Sequence, residues 1–203
     1  MSYTLHLNDL PDDLQLGNSI AVDSETMGLL PWRDRLCVVQ LSSGDDHAHI
    51  IQFKAGNYEA PNLKKILLDK EVLKIFHYAR FDMAVFQKYL GVVSEPVYCT
   101  KIASRLCRTF TDRHGLRDLC RDLLGVEVSK EKQSSDWGAA ELSREQLAYA
   151  ANDVLYLHRI KDKLEEILIR EGRQQIAHEC HDFLKTRVAV DLAGWPDWDI
   201  FAH

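Results

Sequence analysis

Four carboxylates and one phenol recur along this chain in a pattern that could do metal chemistry. Asp23 and Glu25 follow the apolar run Ile20-Ala21-Val22. Asp82 follows Ala79-Arg80-Phe81, and Tyr149 and Asp153 lie four residues apart in a segment rich in alanine and leucine. Each carboxylate sits beside apolar sequence, where an unpaired buried charge is costly. Divalent cations would compensate, and hard ions such as Mg²⁺ and Mn²⁺ take carboxylate oxygens. Two such ions held roughly 3.5–4 Å apart clamp the attacking and leaving oxygens of a phosphoryl displacement. The candidate ligands are therefore Asp23, Glu25, Asp82 and Asp153, with Tyr149 able to orient and help deprotonate a bound water.

That chemistry places demands on the elements that carry the residues. Residues two apart on a strand share a face, so a strand over 19–25 sets Asp23 and Glu25 side by side. Residues four apart on a helix stack, so Tyr149 and Asp153 need a helix. Leu147, Ala148, Ala151, Val154, Leu155 and Leu157 recur at helical spacing around them. Asp82 falls in the first turn of a predicted helix, where an anion is favoured. Taken singly, each motif is more simply a plain structural feature: a strand-end turn, a half-exposed helix face, a helix-start charge. Order and element type together carry the chemical reading.

The remaining elements follow from periodicity and turn residues. Strands are expected near 3–7, 36–42, 47–53 and 72–77, and helices near 61–69, 80–90, 100–108, 114–124, 143–170 and 172–185. Ser143 and Gln146 form a capping signature at the start of the long helix, and Gly172 is placed to end it. Strands followed by alternation with helices argue for an α/β fold, a mixed sheet flanked by helices. No periodicity organises residues 188–203, an apolar and aromatic tail.

The order D-x-E, then D, then Y-x-x-x-D resembles the DEDD 3′–5′ exonucleases of the tyrosine subgroup. Leu36-Cys37-Val38-Val39-Gln40-Leu41 narrows this to the ribonuclease D branch. So do Lys132-Gln133-Ser134-Ser135-Asp136-Trp137 and Leu142-Ser143 through Gln146 to Tyr149-Ala150. The resemblance covers roughly residues 19 to 170. Chain size and the ending Gly194-Trp195-Pro196-Asp197-Trp198 are similar to the short stand-alone oligoribonucleases known as nano-RNase C.

The resemblance implies a ribonuclease H-like single domain over 1–203. It also implies two Mg²⁺ or Mn²⁺ ions, Asp23 bridging both, and hydrolysis of very short RNA, dinucleotides above all, to nucleoside 5′-monophosphates. Leu29 matches the family wedge that inserts between the last two bases, and Thr26 and Met27 are expected along the 3′-terminal nucleotide. His77, with Tyr78 after it, matches a histidine of the branch. Arg113 and His114 resemble a phosphate-contacting pair, and Lys132 and Gln133 could close over substrate. A dinucleotide specialist must recognise a 5′-phosphate, and Arg80, Arg105, Arg113 and Lys132 are the candidates, since a terminal phosphate suits Arg or Lys. A closed homo-oligomer, an octamer, is implied as well, with the aromatic tail as interface. Ribonuclease D-like trimming of RNA 3′ ends and DNA exonuclease activity are the alternatives, because contacts to a 2′-hydroxyl cannot be read from sequence.

Composition agrees with a soluble, cytoplasmic protein. At 203 residues, 46% are hydrophobic and 28% charged, as in ordinary globular domains. No run approaches the ~20 apolar residues of a membrane helix, and the opening residues lack the form of a signal peptide. Cys37, Cys99, Cys107, Cys120 and Cys180 form no C-x-x-C pair and read as reduced thiols. A net charge of −6 disfavours extended binding to a nucleic-acid backbone, which rests on many Lys and Arg contacts; a short substrate needs few.

Overall fold

The computed structural model describes residues 2–128 and 134–202. Its centre is a six-stranded mixed sheet. The strands are β1 (Ser2–Leu7), β2 (Ser19–Thr26), β3 (Leu36–Ser42), β4 (His47–Gln52), β5 (Leu73–Phe76) and β6 (Val97–Cys99), in spatial order β1-β4-β3-β2-β5-β6. β2, β3 and β4 form an antiparallel meander, whereas β1, β5 and β6 each add in parallel. Every residue of β3 is buried, as expected for a central strand covered on both faces.

Helices pack on both faces. Leu63 and Leu67 of α1 (Pro61–Leu68), Phe86 of α2 (Ala79–Tyr89), and Leu184 and Val188 of α7 (Gln174–Leu192) share one core with Ile20, Val22, Val39 and Leu41. The other face holds Ala103 of α3 (Thr100–Cys107), Ala151 and Val154 of α5 (Arg144–Leu155), and Ile160 and Leu164 of α6 (Leu157–Arg170). These residues pack on Ala21, Val38, Ile50 and Ile75. The alternation of β2 and β3 side chains between the two cores is the period-2 pattern of a strand. Since residues 21 and 38 face α5, so do Asp23 and Glu25.

The expected strand and helix positions hold with four differences. The segment 143–170 is two helices, because Tyr156 leaves the helical path with φ −104° and ψ −8°. Leu155 and Leu157 are both buried across the break, so each helix follows its own packing surface. The expected helix at 114–124 is one turn, α4 (Leu116–Leu119), running into a π-helical turn over Cys120–Leu124. β6 is too short to show a period. Finally, α7 runs to Leu192, so the first residues of the expected tail are helical. The capping box is present: Ser143 Oγ accepts from the Gln146 N–H at 3.2 Å, and Gln146 Oε1 accepts from the Ser143 N–H at 3.0 Å. Gly172, at φ +65°, ends α6. No helix among the described residues is long and apolar enough to cross a membrane.

Candidate active site

Three elements meet at one end of the sheet. β2 presents Asp23 and Glu25, the first turn of α2 presents Asp82, and α5 presents Tyr149 and Asp153. Carboxylate oxygens of Asp23, Glu25 and Asp153 lie within 4.8 Å of one another. Asp82 is buried and accepts a 2.6 Å hydrogen bond from Ser24 Oγ. Ser24 thus uses the opposite face of β2 to hold the fourth carboxylate, while its neighbours face α5.

The electrostatics of this cluster are those of negative charges confined together. Burial raises the Asp23 carboxyl to about 7. Burial, followed by repulsion from neighbouring carboxylates, holds Glu25, Asp82 and Asp153 well above the usual carboxylate range. Burial and the same carboxylates, Asp153 first among them, also push the Tyr149 phenol up. Among the described residues none of the four carboxylates is ion-paired to Lys or Arg. An all-oxygen donor set of this charge fits hard divalent cations.

The cluster forms the floor of a cleft of about 710 Å³. Thr26, Met27, Leu29, His77 and Tyr78, all expected at the substrate, line it. The loop after β2 is shaped from within. The Thr26 hydroxyl donates to the Gly28 carbonyl, and the Asp34 carboxylate accepts from the Leu30 N–H at 3.0 Å. A Cβ on Gly28 would stand 2.3 Å from that carboxylate. So held, Met27 is 52% and Leu29 85% exposed, an orientation that suits a wedge. Tyr78 takes a left-handed conformation at φ 73° immediately before α2, and the Lys101 ammonium lies 4.3 Å from its ring centroid. Burial, with Lys101 nearby, pushes the His77 imidazole down to about 3, so the ring is neutral at physiological pH. His77 Nδ1 lies 2.9 Å from Thr100 Oγ1.

The expected phosphate contacts divide. Arg80 turns away, its guanidinium bound to Asp191 at 2.9 Å and to the Pro196 carbonyl. Arg105 and Arg113 are exposed outside the cleft lining, and His114 Nδ1 lies 2.8 Å from Ser104 Oγ. Lys132 and Gln133 lie outside the described residues. Lys101 and Arg117, which sequence reasoning passed over, line the cleft. Lys101 sits two residues beyond β6, a strand too short to announce itself, so nothing local pointed to it. Gln40 was also missed as a neighbour of the cluster. It stands opposite Asp23 in the β2–β3 ladder and is fully buried; its place in the Leu36–Leu41 motif was the available signal.

Comparison with known proteins gives the family of the chain. Residues 4–169 match the 3′-5′ exonuclease domain family DNA_pol_A_exo1. Ribonuclease D of Acidiphilium cryptum (strain JF-5) is 35% identical over 164 residues, covering 81% of this chain and 41% of that protein. The chain thus spans about two-fifths of the length of such relatives. Over its whole length it superposes on Brucella melitensis NrnC bound to pGG, with 55% identity, a TM-score of 0.96 and 99% of that chain covered. Brucella melitensis NrnC with bound Mg²⁺ gives 54% identity, a TM-score of 0.95 and full coverage of both chains. The carboxylates on β2, α2 and α5 therefore sit in a chain that belongs to the 3′–5′ exonuclease family and is similar to ribonuclease D in sequence and to NrnC from end to end.

Proposed function

We propose that this chain is a metal-dependent 3′–5′ exoribonuclease acting on very short RNA, with 5′-phosphorylated dinucleotides as its main substrates. The convergence of Asp23, Glu25 and Asp153 beside Tyr149, in a cleft lipped by Leu29, carries this reading. Asp23, Glu25, Asp82 and Asp153 would hold two Mg²⁺ or Mn²⁺ ions, which when bound supply charge neutralisation and an activated water for phosphodiester cleavage. Tyr149, four residues before Asp153 on α5, orients that water. Leu29 enters between the two bases while Thr26 and Met27 contact the 3′ nucleotide. His77 and Tyr78 form the facing wall. With Arg80 committed to Asp191 and Arg105 and Arg113 outside the cleft lining, Lys101 and Arg117 join Lys132 as candidates for the 5′-phosphate. The pGG in a full-length relative supports a substrate of this size.

The tail supports an assembly. Trp195, Trp198, Ile200 and Phe201 are exposed, Trp198 to 70%, and apolar patches of this kind mark interfaces. Arg187 binds the carbonyls of Trp195, Pro196 and Trp198 at 2.9–3.0 Å, presenting the aromatic rings outward. These features support a closed homo-oligomer, for which the resemblance implies eight copies. Light scattering on the full chain and on a chain ending at Leu192 tests it, and a monomeric full chain refutes it. The five free cysteines fit a cytoplasmic location.

Labelled RNA and DNA of two to ten residues, with and without a 5′-phosphate, in Mn²⁺ or EDTA, test the catalytic reading. Fastest turnover of the phosphorylated RNA dinucleotide, abolished by EDTA, is expected. Equal rates across lengths point to ribonuclease D-like trimming, and preference for DNA to a DNA exonuclease.

A further inference from the structure

One sequence motif beside the cleft has no role in the chemistry above: the Ser135-Asp136-Trp137 segment before α5. Its backbone is pinned on several sides. Gln146 of α5 donates to the Asp136 carbonyl at 3.1 Å, Arg35 to the Gly138 carbonyl at 3.2 Å, and Gln52 to the Ala139 carbonyl at 3.0 Å. A Cβ on Gly138 would stand 2.3 Å from Met27 Sδ, so the segment lies hard against the loop that bears Leu29. From this anchored turn Trp137 reaches inward. It is 3% exposed, lines the cleft, and sets its ring against that of Tyr149, with centroids 6.0 Å apart and planes inclined at 42°.

We propose that Trp137 is a positioning residue for Tyr149, holding the phenol at the angle from which its hydroxyl addresses the attacking water. A phenol ring needs support from the side away from its helix. Tyr149 sits on α5 beside carboxylates, which cannot brace the ring face. Trp137 supplies that brace, because tilted aromatic pairs at this separation are attractive and directional. Its own position is fixed by the Arg35, Gln52 and Gln146 hydrogen bonds, so the brace is rigid. The same segment touches Met27, which places the wedge loop and the phenol on one support. This inference rests on the catalytic reading of Tyr149.

The test is a double-mutant cycle between Trp137→Leu and Tyr149→Phe, with Trp137→Phe as the conservative variant. Turnover of a 5′-phosphorylated diadenylate with Mn²⁺ is measured, and Mn²⁺ affinity is followed by calorimetry. Misplacing a catalytic group by about 1 Å costs on the order of 10²-fold in rate. Trp137→Leu should therefore lower kcat about ten- to a hundredfold with KM and Mn²⁺ affinity nearly unchanged, and Trp137→Phe should fall between it and the parent. In the Tyr149→Phe background Trp137→Leu should cost almost nothing more, since groups acting as a unit are non-additive. Multiplying effects, or a raised KM at constant kcat, overturn the proposal while leaving Tyr149 in place. An unchanged kcat in Tyr149→Phe alone overturns the reading of the phenol and the brace with it. Should Trp137→Leu fail to fold, Trp137→Phe decides: a kcat loss that vanishes beside Tyr149→Phe supports the brace, and no loss, or a loss that persists there, refutes it.

Discussion

Removing one negative charge from the carboxylate cluster should stabilise the metal-free protein above neutral pH. Burial raises the Asp23 carboxyl from 3.8 to about 7. A carboxyl with a raised folded-state pKa binds more protons folded than unfolded between those values, so stability falls as pH climbs through that window. Below about pH 4 both states are protonated and the penalty is absent; above about pH 7 it is fully expressed. Three units at ~1.4 kcal/mol each set it at about 4 kcal/mol. Asp23→Asn keeps the shape and removes the charge, and it also relieves Glu25, Asp82 and Asp153, each raised in part by Asp23. A gain of about 2–4 kcal/mol at pH 8 in EDTA is expected, a rise of roughly 5–10 °C in Tm for a chain of this size. Urea titrations at steps between pH 4 and pH 8 measure it, with the parent falling more steeply than the variant, which keeps the smaller slope of the three remaining raised carboxyls. Saturating Mn²⁺ should invert the order, because only the intact cluster gains linkage stabilisation from the metal. Equal stabilities at pH 8 in EDTA, or a flat parent profile, would refute the electrostatic account.

Three further outcomes are expected. Tyr149→Phe should reduce kcat by about 10²–10⁴-fold, as loss of a water-orienting group does, with Mn²⁺ affinity unchanged by calorimetry. Lys101→Gln should lose about 1.5–3 kcal/mol in kcat/KM on the 5′-phosphorylated dinucleotide, the worth of one charged hydrogen bond, and far less on the same dinucleotide without its phosphate; equal losses on both would remove Lys101 from that role. Lys74, fully buried in β5, donates to the carbonyls of Asp69 and Glu95 at 2.6 and 2.7 Å. Lys74→Met strands both acceptors and should destabilise the fold by about 1–3 kcal/mol for each, read as a lower urea midpoint with active-site kinetics unchanged.

The aromatic tail and the helix that carries Asp82 meet at one ion-pair network. Asp191 near the end of α7 binds Arg80 of α2 and, at 2.8 Å, Arg187, and both arginines hold carbonyls of the tail. Arg80 precedes Asp82 by two residues on the same helix. The tail is thereby tied to the helix that carries one of the four carboxylates, which explains why Arg80 is not free for substrate.

The carboxylate cluster of this protein was legible in its sequence because its pairs depend on short-range geometry. A period of two on a strand puts Asp23 beside Glu25, and a spacing of four on a helix stacks Tyr149 on Asp153; neither needs knowledge of a neighbour. The capping box of Ser143 and Gln146 is local in the same sense. What no local rule reaches is which elements touch. Strand order decided that Gln40 faces Asp23, and a three-residue strand delivered Lys101 to the cleft. An ion pair with Asp191, 111 residues away, took Arg80 out of it. The break at Tyr156 has no Pro or Gly to announce it, and it follows from α5 and α6 packing on different neighbours. Trp137 became the neighbour of Tyr149 only when hydrogen bonds from Arg35, Gln52 and Gln146 fixed the turn that carries it. Side-chain periodicity is written into consecutive residues, whereas these pairings are settled by burial and hydrogen bonding across the whole fold.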